Sequence, residues 1–233
     1  MNSNNETARD ASYFQTSGAL LLAAKDWTSI VEQFPYGLGA LIFYFTLYQS
    51  ELIPQWLSVW GLVGGTLILA MGLLRMFGHS VFFFFLAIPI ILNEMVLAVW
   101  LLVNGFNSSA IASAMVGVLF ITALVSSYLS GVFSGSINDP DYLTAVSENE
   151  NKVLIGVLFQ ITLTASVVAI PIIMFPILRE HNESLALGYV VARIFEGFFD
   201  AGIAISLLLL LTLSREFVKA GTPTAKTDMD EIK

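Results

Sequence analysis

Long apolar runs succeed one another along this chain with only short polar breaks between them: residues 56–76, 81–103, 111–133, 153–178 and 185–213. A helix needs about 20 predominantly apolar residues to cross the ~30 Å hydrocarbon layer of a bilayer. Each run meets that length, and none alternates apolar and polar residues as the strands of a membrane barrel must. Unbroken stretches such as Leu207 to Leu211 and Val167 to Ile173 exclude strands of that kind. The balance of residues agrees: 56% are apolar, only 12% are charged, and the mean hydropathy is +0.78. A soluble domain carries about 25% charged residues, so the solvent around most of this chain is lipid. The expected fold class is all-α, a polytopic transmembrane bundle of about six spans.

The first span is the ambiguous one. Residues 18–24 are apolar, but Lys25, Asp26, Trp27, Glu32 and Pro35 follow. Proline lacks the backbone donor that continues a helix. Residues 13–33 therefore read as an interfacial N-terminal helix followed by a span over 35–49, or else 18–48 form one long, kinked span. The chain divides into a polar tail (1–12), a first membrane block (13–107), a second membrane block (108–221) and a second polar tail (222–233). The segment 134–151 reads as the longest loop, with a turn signal at Asn138-Asp139-Pro140-Asp141. Pro171 and Pro176 predict a kinked exit from the fifth span, and Ser184 is the expected N-cap of the sixth.

With six spans both termini share one side. That side holds Arg9, Arg75, Lys152, Arg215, Lys219, Lys226 and Lys233, against Arg179 alone on the other. The excess of basic residues on cytoplasmic loops predicts both termini in the cytoplasm of a cell-membrane protein. No removable signal peptide is expected at Met1 to Ser12. Cysteine is absent and the formal charge is −8, which leaves out thiolate chemistry and a basic nucleic-acid footprint. The expected partners are the bilayer and a small-molecule or ion ligand.

Ionisable groups in hydrocarbon cost about 2.5–3.5 kcal/mol each on insertion scales, so those inside the spans are the candidates for function. The last span carries Arg193, Glu196 and Asp200. At ~100° per residue, Asp200 lies about 20° and Glu196 about 60° from Arg193 around the helix, on one stripe with Tyr189 and Ala204. The third span carries Asn93 and Glu94, and the segment before Pro35 carries Lys25, Asp26 and Glu32. If Lys25, Arg193 and the five carboxylates met in one core, three negative charges would be in excess. Either some carboxyls hold protons, or a cation sits among them, or some reach water. The plainer alternative is an Arg193–Glu196 ion pair, three residues apart on a helix, that locks the bundle.

Other chemistry lacks its signature. His79 and His181 lie in polar turns far apart in sequence, and there is no HExxH, GxSxG or phosphate-loop motif. Gly61, Gly64 and Gly65 read as packing positions. No cofactor is expected, and an intramembrane enzyme finds neither a nucleophile nor a metal constellation.

Two stretches carry a resemblance. One is Arg179-Glu-His-Asn-Glu-Ser-Leu-Ala-Leu-Gly-Tyr-Val-Val-Ala-Arg-Ile-Phe-Glu-Gly197, with its Ala-Arg-x-x-Glu-Gly motif. The other is Leu47-Tyr-Gln-Ser-Glu-Leu-Ile-Pro-Gln-Trp-Leu-Ser58, with Tyr-x-Ser-x-x-x-Pro-x-Trp-Leu, followed by Asn93-Glu-Met-Val-Leu-Ala-Val-Trp100. Over residues 13–105 and 114–222 the chain resembles the bacterial and archaeal membrane family known as domain of unknown function 4386. The resemblance implies a polytopic membrane fold and no particular activity. It also implies that the two halves stand here in reversed order, as in a circularly permuted chain. The functional expectation is a proton- or cation-linked carrier of a small molecule that uses the acidic cluster; the alternative is a non-catalytic membrane module acting as sensor, assembly partner or structural component.

Overall fold

The computed structural model describes residues 3–78, 83–106, 110–138 and 141–221, with side chains from residue 12 onward except at 83, 84 and 221. The expectations for His79, for Asp139-Pro140 within the turn signal and for the tail at 222–233 fall outside these residues. Among the described residues eight α-helices follow in order: α1 (Ser3–Val31), α2 (Gln33–Ser50), α3 (Gln55–Met76), α4 (Phe83–Val103), α5 (Ala110–Phe133), α6 (Tyr142–Glu148), α7 (Glu150–Arg179) and α8 (Glu183–Gly221). A short 3-10 turn, Gly135–Asn138, precedes α6. Six segments are long and apolar enough to cross a membrane, the first of them Ser12–Ser50. Outward-facing positions are apolar, among them Ile111, Leu158 and Phe198. A soluble protein buries such a surface.

Of the two readings of residues 13–48, the structure takes the long kinked element. Pro35 cannot donate to the carbonyl of Val31, so the helix is interrupted at Glu32. Glu32 nevertheless keeps right-handed helical angles (φ −53°, ψ −33°), and hydrogen bonds from Glu32 N to Thr28 O and from Tyr36 N to Glu32 O bridge the break. The result is a bend, not an end. Together α1 and α2 run antiparallel to α8 in constant register: Ile42 lies by Gly188, Gly39 by Arg193, Thr28 by Gly202 and Phe14 by Phe217.

The 39 residues of α8 extend about 58 Å at ~1.5 Å per residue, close to twice the hydrocarbon thickness. Its last third, the start of α7, the first half of α1 and α6 therefore continue beyond the ends of α2–α5. They hold a small core of their own around Leu143, Val146, Val153, Leu210 and Leu211, flanked by Phe14, Leu22 and Phe217. Arg215 of α8 pairs with Glu150 of α7 at this end. The segment expected to be a plain loop thus contains α6, whose Leu143 and Val146 are pulled into that core. One further correction concerns a helix end. The side chain of Asn182, not Ser184, caps α8 by accepting the Leu185 N–H at 3.0 Å. The fifth span, α7, runs through Pro171 and Pro176 to Arg179 as one helix.

Inside the bundle, small residues set the distances between helices, as packing in lipid requires. The Tyr44 ring of α2 lies against Gly61 of α3 so closely that a methyl group there would overlap it. Gly64 of α3 makes the same room for Ile90 of α4, and Gly117 of α5 for the Ala98 carbonyl and Leu102 of α4.

Candidate functional site

The bend at Glu32 turns that side chain toward α8. There one carboxylate oxygen each from Glu32, Glu196 and Asp200 lie within 4.8 Å of one another. Glu196 and Asp200 fall on the same face of α8 because they are four residues apart, as the stripe predicts. Arg193, one turn earlier, donates from a single nitrogen, Nη1, to both oxygens of Glu196 at 2.9 and 2.7 Å. Its guanidinium also sits over the rings of Tyr36 (5.4 Å) and Tyr189 (5.9 Å). Cations are attracted to the negative faces of such rings. Gly39 is what admits the arginine: an added methyl group at Gly39 would stand 3.2 Å from Arg193 Cδ.

Two further carboxylate contacts tie in other helices. The Tyr36 hydroxyl donates to Glu94 Oε1 of α4 at 3.0 Å. Gln160 Nε2 of α7 donates to Asp200 Oδ1 at 3.0 Å, and Gln160 Oε1 accepts from Ser130 Oγ of α5 at 3.0 Å. A carboxylate only accepts, so the amide must present its NH2 to Asp200. The Glu32 carboxylate has no hydrogen bond or ion pair among the described residues, and neither have two buried atoms nearby, Gln33 Oε1 and Arg193 Nε.

These groups line a cavity of about 300 Å3 in the middle of the bundle, closed on its apolar side by residues such as Ile68, Ile90, Phe120 and Val167. Its wall carries four carboxyl groups, Glu32, Glu94, Glu196 and Asp200, and two guanidiniums, Arg75 and Arg193. Fully ionised, the wall would hold two uncompensated negative charges in a low-dielectric space, where such charge is costly. Protons or a bound cation relieve it; so would a ligand that donates hydrogen bonds to Glu32 and Gln33.

Not every residue singled out in the sequence joins this site. Asn93 is fully buried and spends its amide nitrogen on the Leu57 carbonyl of α3 at 2.9 Å, bracketing α4 to α3 outside the cavity. Lys25 pairs with Asp26 at 3.4 Å, and the Asp26 side chain is 66% exposed. Lys25 instead borders a second cavity of about 260 Å3, with Ser29, Ser127, Ser130, Ser134, Asn138 and Gln160. Arg75, at the end of α3, reaches Ser29 of α1, its Nη2 donating to the hydroxyl at 3.0 Å. Gln160 was not singled out from the sequence. Its signal is an amide in mid-span, on the face it shares with Gly156 four residues earlier.

The fold and the cavity define a class: a multi-pass helical membrane protein with a buried carboxylate–arginine cluster at its centre. The particular family follows from the sequence match. A family model described as "Domain of unknown function (DUF4386)" covers residues 2–105 and 115–231, and the chain belongs to that family. No curated protein and no solved structure matches the chain.

Proposed function

We propose that the central cavity is a proton- or cation-binding site and that the protein uses it to carry a small solute across the membrane. One observation carries the reading. Three carboxylates from two separate helical elements converge within 4.8 Å, of which Glu196 alone makes an ion pair, to the buried guanidinium of Arg193, among the described residues. A cluster that served packing alone would be neutral, because an unpaired buried charge weakens a fold. In transporters and pumps, buried carboxyls that change protonation mark the ion path. Glu196, Asp200 and Glu32 are the groups we assign to the ion, with Glu94 in support through Tyr36. Arg193 sets the charge balance. On this reading the termini are cytoplasmic, which the excess of basic residues on their side of the sequence supports.

A second reading is favoured by the doubly bonded Arg193–Glu196 pair alone: a membrane module whose polar core fixes the helix arrangement and nothing more. Acid-pulse experiments on proteoliposomes with a trapped pH-sensitive dye separate the two. On the carrier reading, the wild type equilibrates protons at least tenfold faster than Glu196→Gln or Asp200→Asn. Equal rates in wild type, variants and empty vesicles would leave the second reading standing.

A further inference from the structure

The acidic site has a neighbour that the proposed function does not use. The serine-lined cavity lies between α1, α5, α7 and α8 and reaches the 3-10 turn before α6. It shares Ser29 and Ser127 with the acidic cavity. Asn138 at the rim, Ser127 and Gly131 are exposed, Lys25 and Ser29 are half-buried, Ser130, Ser134 and Gln160 are buried, and Asp200 beyond them is 2% exposed. The hydroxyl of Ser134, 5% exposed, has no hydrogen-bond partner among the described residues. A polar cavity with unpaired buried hydroxyls is what ordered water occupies. Gln160 joins this cavity to the acidic one, accepting from Ser130 on one side and donating to Asp200 on the other.

The opposite direction is blocked. One turn beyond Arg193, away from the termini, Phe43 stacks on Tyr189 with ring centroids 4.8 Å apart and packs edge to face on Tyr44 at 5.2 Å. Phe120 of α5 closes the same layer at 6.3 Å from Phe43. Phe43, Tyr44 and Tyr189 are each 2% exposed or less. The layer is filled by rings; its two phenol hydroxyls, of Tyr44 and Tyr189, are buried without a hydrogen-bond partner among the described residues.

We infer that the serine-lined cavity is a hydrated entrance, taking water and a hydrated monovalent cation or hydronium, through which the acidic site exchanges with the aqueous phase on the side of the termini only. The Phe43–Tyr189 stack seals the site from the other side, and Gln160 is the positioning residue that couples entrance to site. This deepens the proposed function and rests on it for its purpose, not for its geometry.

The chain contains no cysteine, so single cysteines report access without background. Four variants suffice: Ser127→Cys and Ser134→Cys in the entrance, Ser50→Cys beyond the seal, and Leu158→Cys on the lipid-facing surface. Each is reconstituted in sealed vesicles of both orientations, sorted by protease removal of a C-terminal tag, and exposed to a membrane-impermeant cationic methanethiosulfonate. Ser127→Cys and Ser134→Cys are expected to react at least tenfold faster from the side of the tag than from the other. Ser50→Cys should show the reverse, and Leu158→Cys should stay unreactive from both. Two entrance positions guard against one variant failing to fold. Entrance cysteines that react no faster than Leu158→Cys, or that react from the side of Ser50→Cys, overturn the inference. That failure is separate from failure of the carrier reading, since labelling needs no transport: proton flux unaffected by Glu196→Gln with one-sided labelling would remove the carrier and keep the entrance.

Discussion

Glu32, at the bend between α1 and α2, and Asp200, in the middle of α8, bring carboxylate oxygens within 4.8 Å of each other in a cavity that also holds Glu94, Glu196 and two arginines. The two residues meet because Pro35 breaks the α1–α2 helix without ending it and because α8 runs antiparallel beside the bend. Charge of one sign is gathered there against the preference of the medium, and the consequences differ from residue to residue.

Arg193 is the keystone of that balance. Replacing it with Leu leaves Glu196 buried without its ion-pair partner among the described residues. Removing one member of a buried pair costs about 3–5 kcal/mol. Thermal unfolding in detergent should show Arg193→Leu strongly destabilised, and Arg193→Leu with Glu196→Leu partly restored. A double variant no better than the single one would contradict the assignment of Arg193 to Glu196.

Glycine positions separate packing from permissiveness. At Gly61 an alanine methyl would overlap the Tyr44 ring, whereas at Gly131 nothing lies within 4 Å. Overpacking costs about 1–3 kcal/mol, while replacing a helical glycine in open space gains about 0.5–1 kcal/mol. Gly61→Ala should therefore lower the unfolding temperature in detergent and Gly131→Ala hold or raise it.

The cap of α8 makes a smaller but cleaner prediction. Asn182→Ala removes the oxygen that accepts the Leu185 N–H and should cost about 1 kcal/mol. Ser184→Ala should change the unfolding temperature little. The opposite ranking would return the cap to Ser184.

How much of this was legible beforehand follows from what lipid does to sequence patterns. The spans could be read because length and apolarity alone define them. The Arg193–Glu196–Asp200 stripe could be read because charge in an apolar helix has one place to go. Asn93, Gln160 and Arg75 could not be sorted. Lipid is as apolar as a helix interface, so the pattern around a lone polar residue does not reveal which neighbour it faces. Asn93 holds a carbonyl of α3, Gln160 holds Asp200, and Arg75 reaches Ser29. The helix α6 was hidden for another reason: seven residues with two buried aliphatic side chains give too short a period to stand out from a loop.

The order of the halves is open to experiment as well. Phe14 of α1 and Phe217 of α8 meet edge to face at 5.8 Å, and the two family matches are separated by residues 106–114. Joining the termini through a short flexible linker and opening the chain within 106–114 should give a protein that migrates as one species in detergent and unfolds within a few degrees of the original, since neighbouring ends tolerate permutation. Aggregation of the permuted chain would argue that the 106–114 connection is required.

The central claim is that the carboxyls around Glu32 are assembled for an ion, at a cost to the fold. Sites kept for function are often less stable than their neutralised variants. The direct test is the unfolding temperature of Glu32→Gln in detergent, because the Glu32 carboxylate has no hydrogen bond or ion pair to lose among the described residues and lies beside two other carboxylates. A higher unfolding temperature than the wild type is the predicted result. A clearly lower one would mean that Glu32 holds the bundle together, and the account would be wrong.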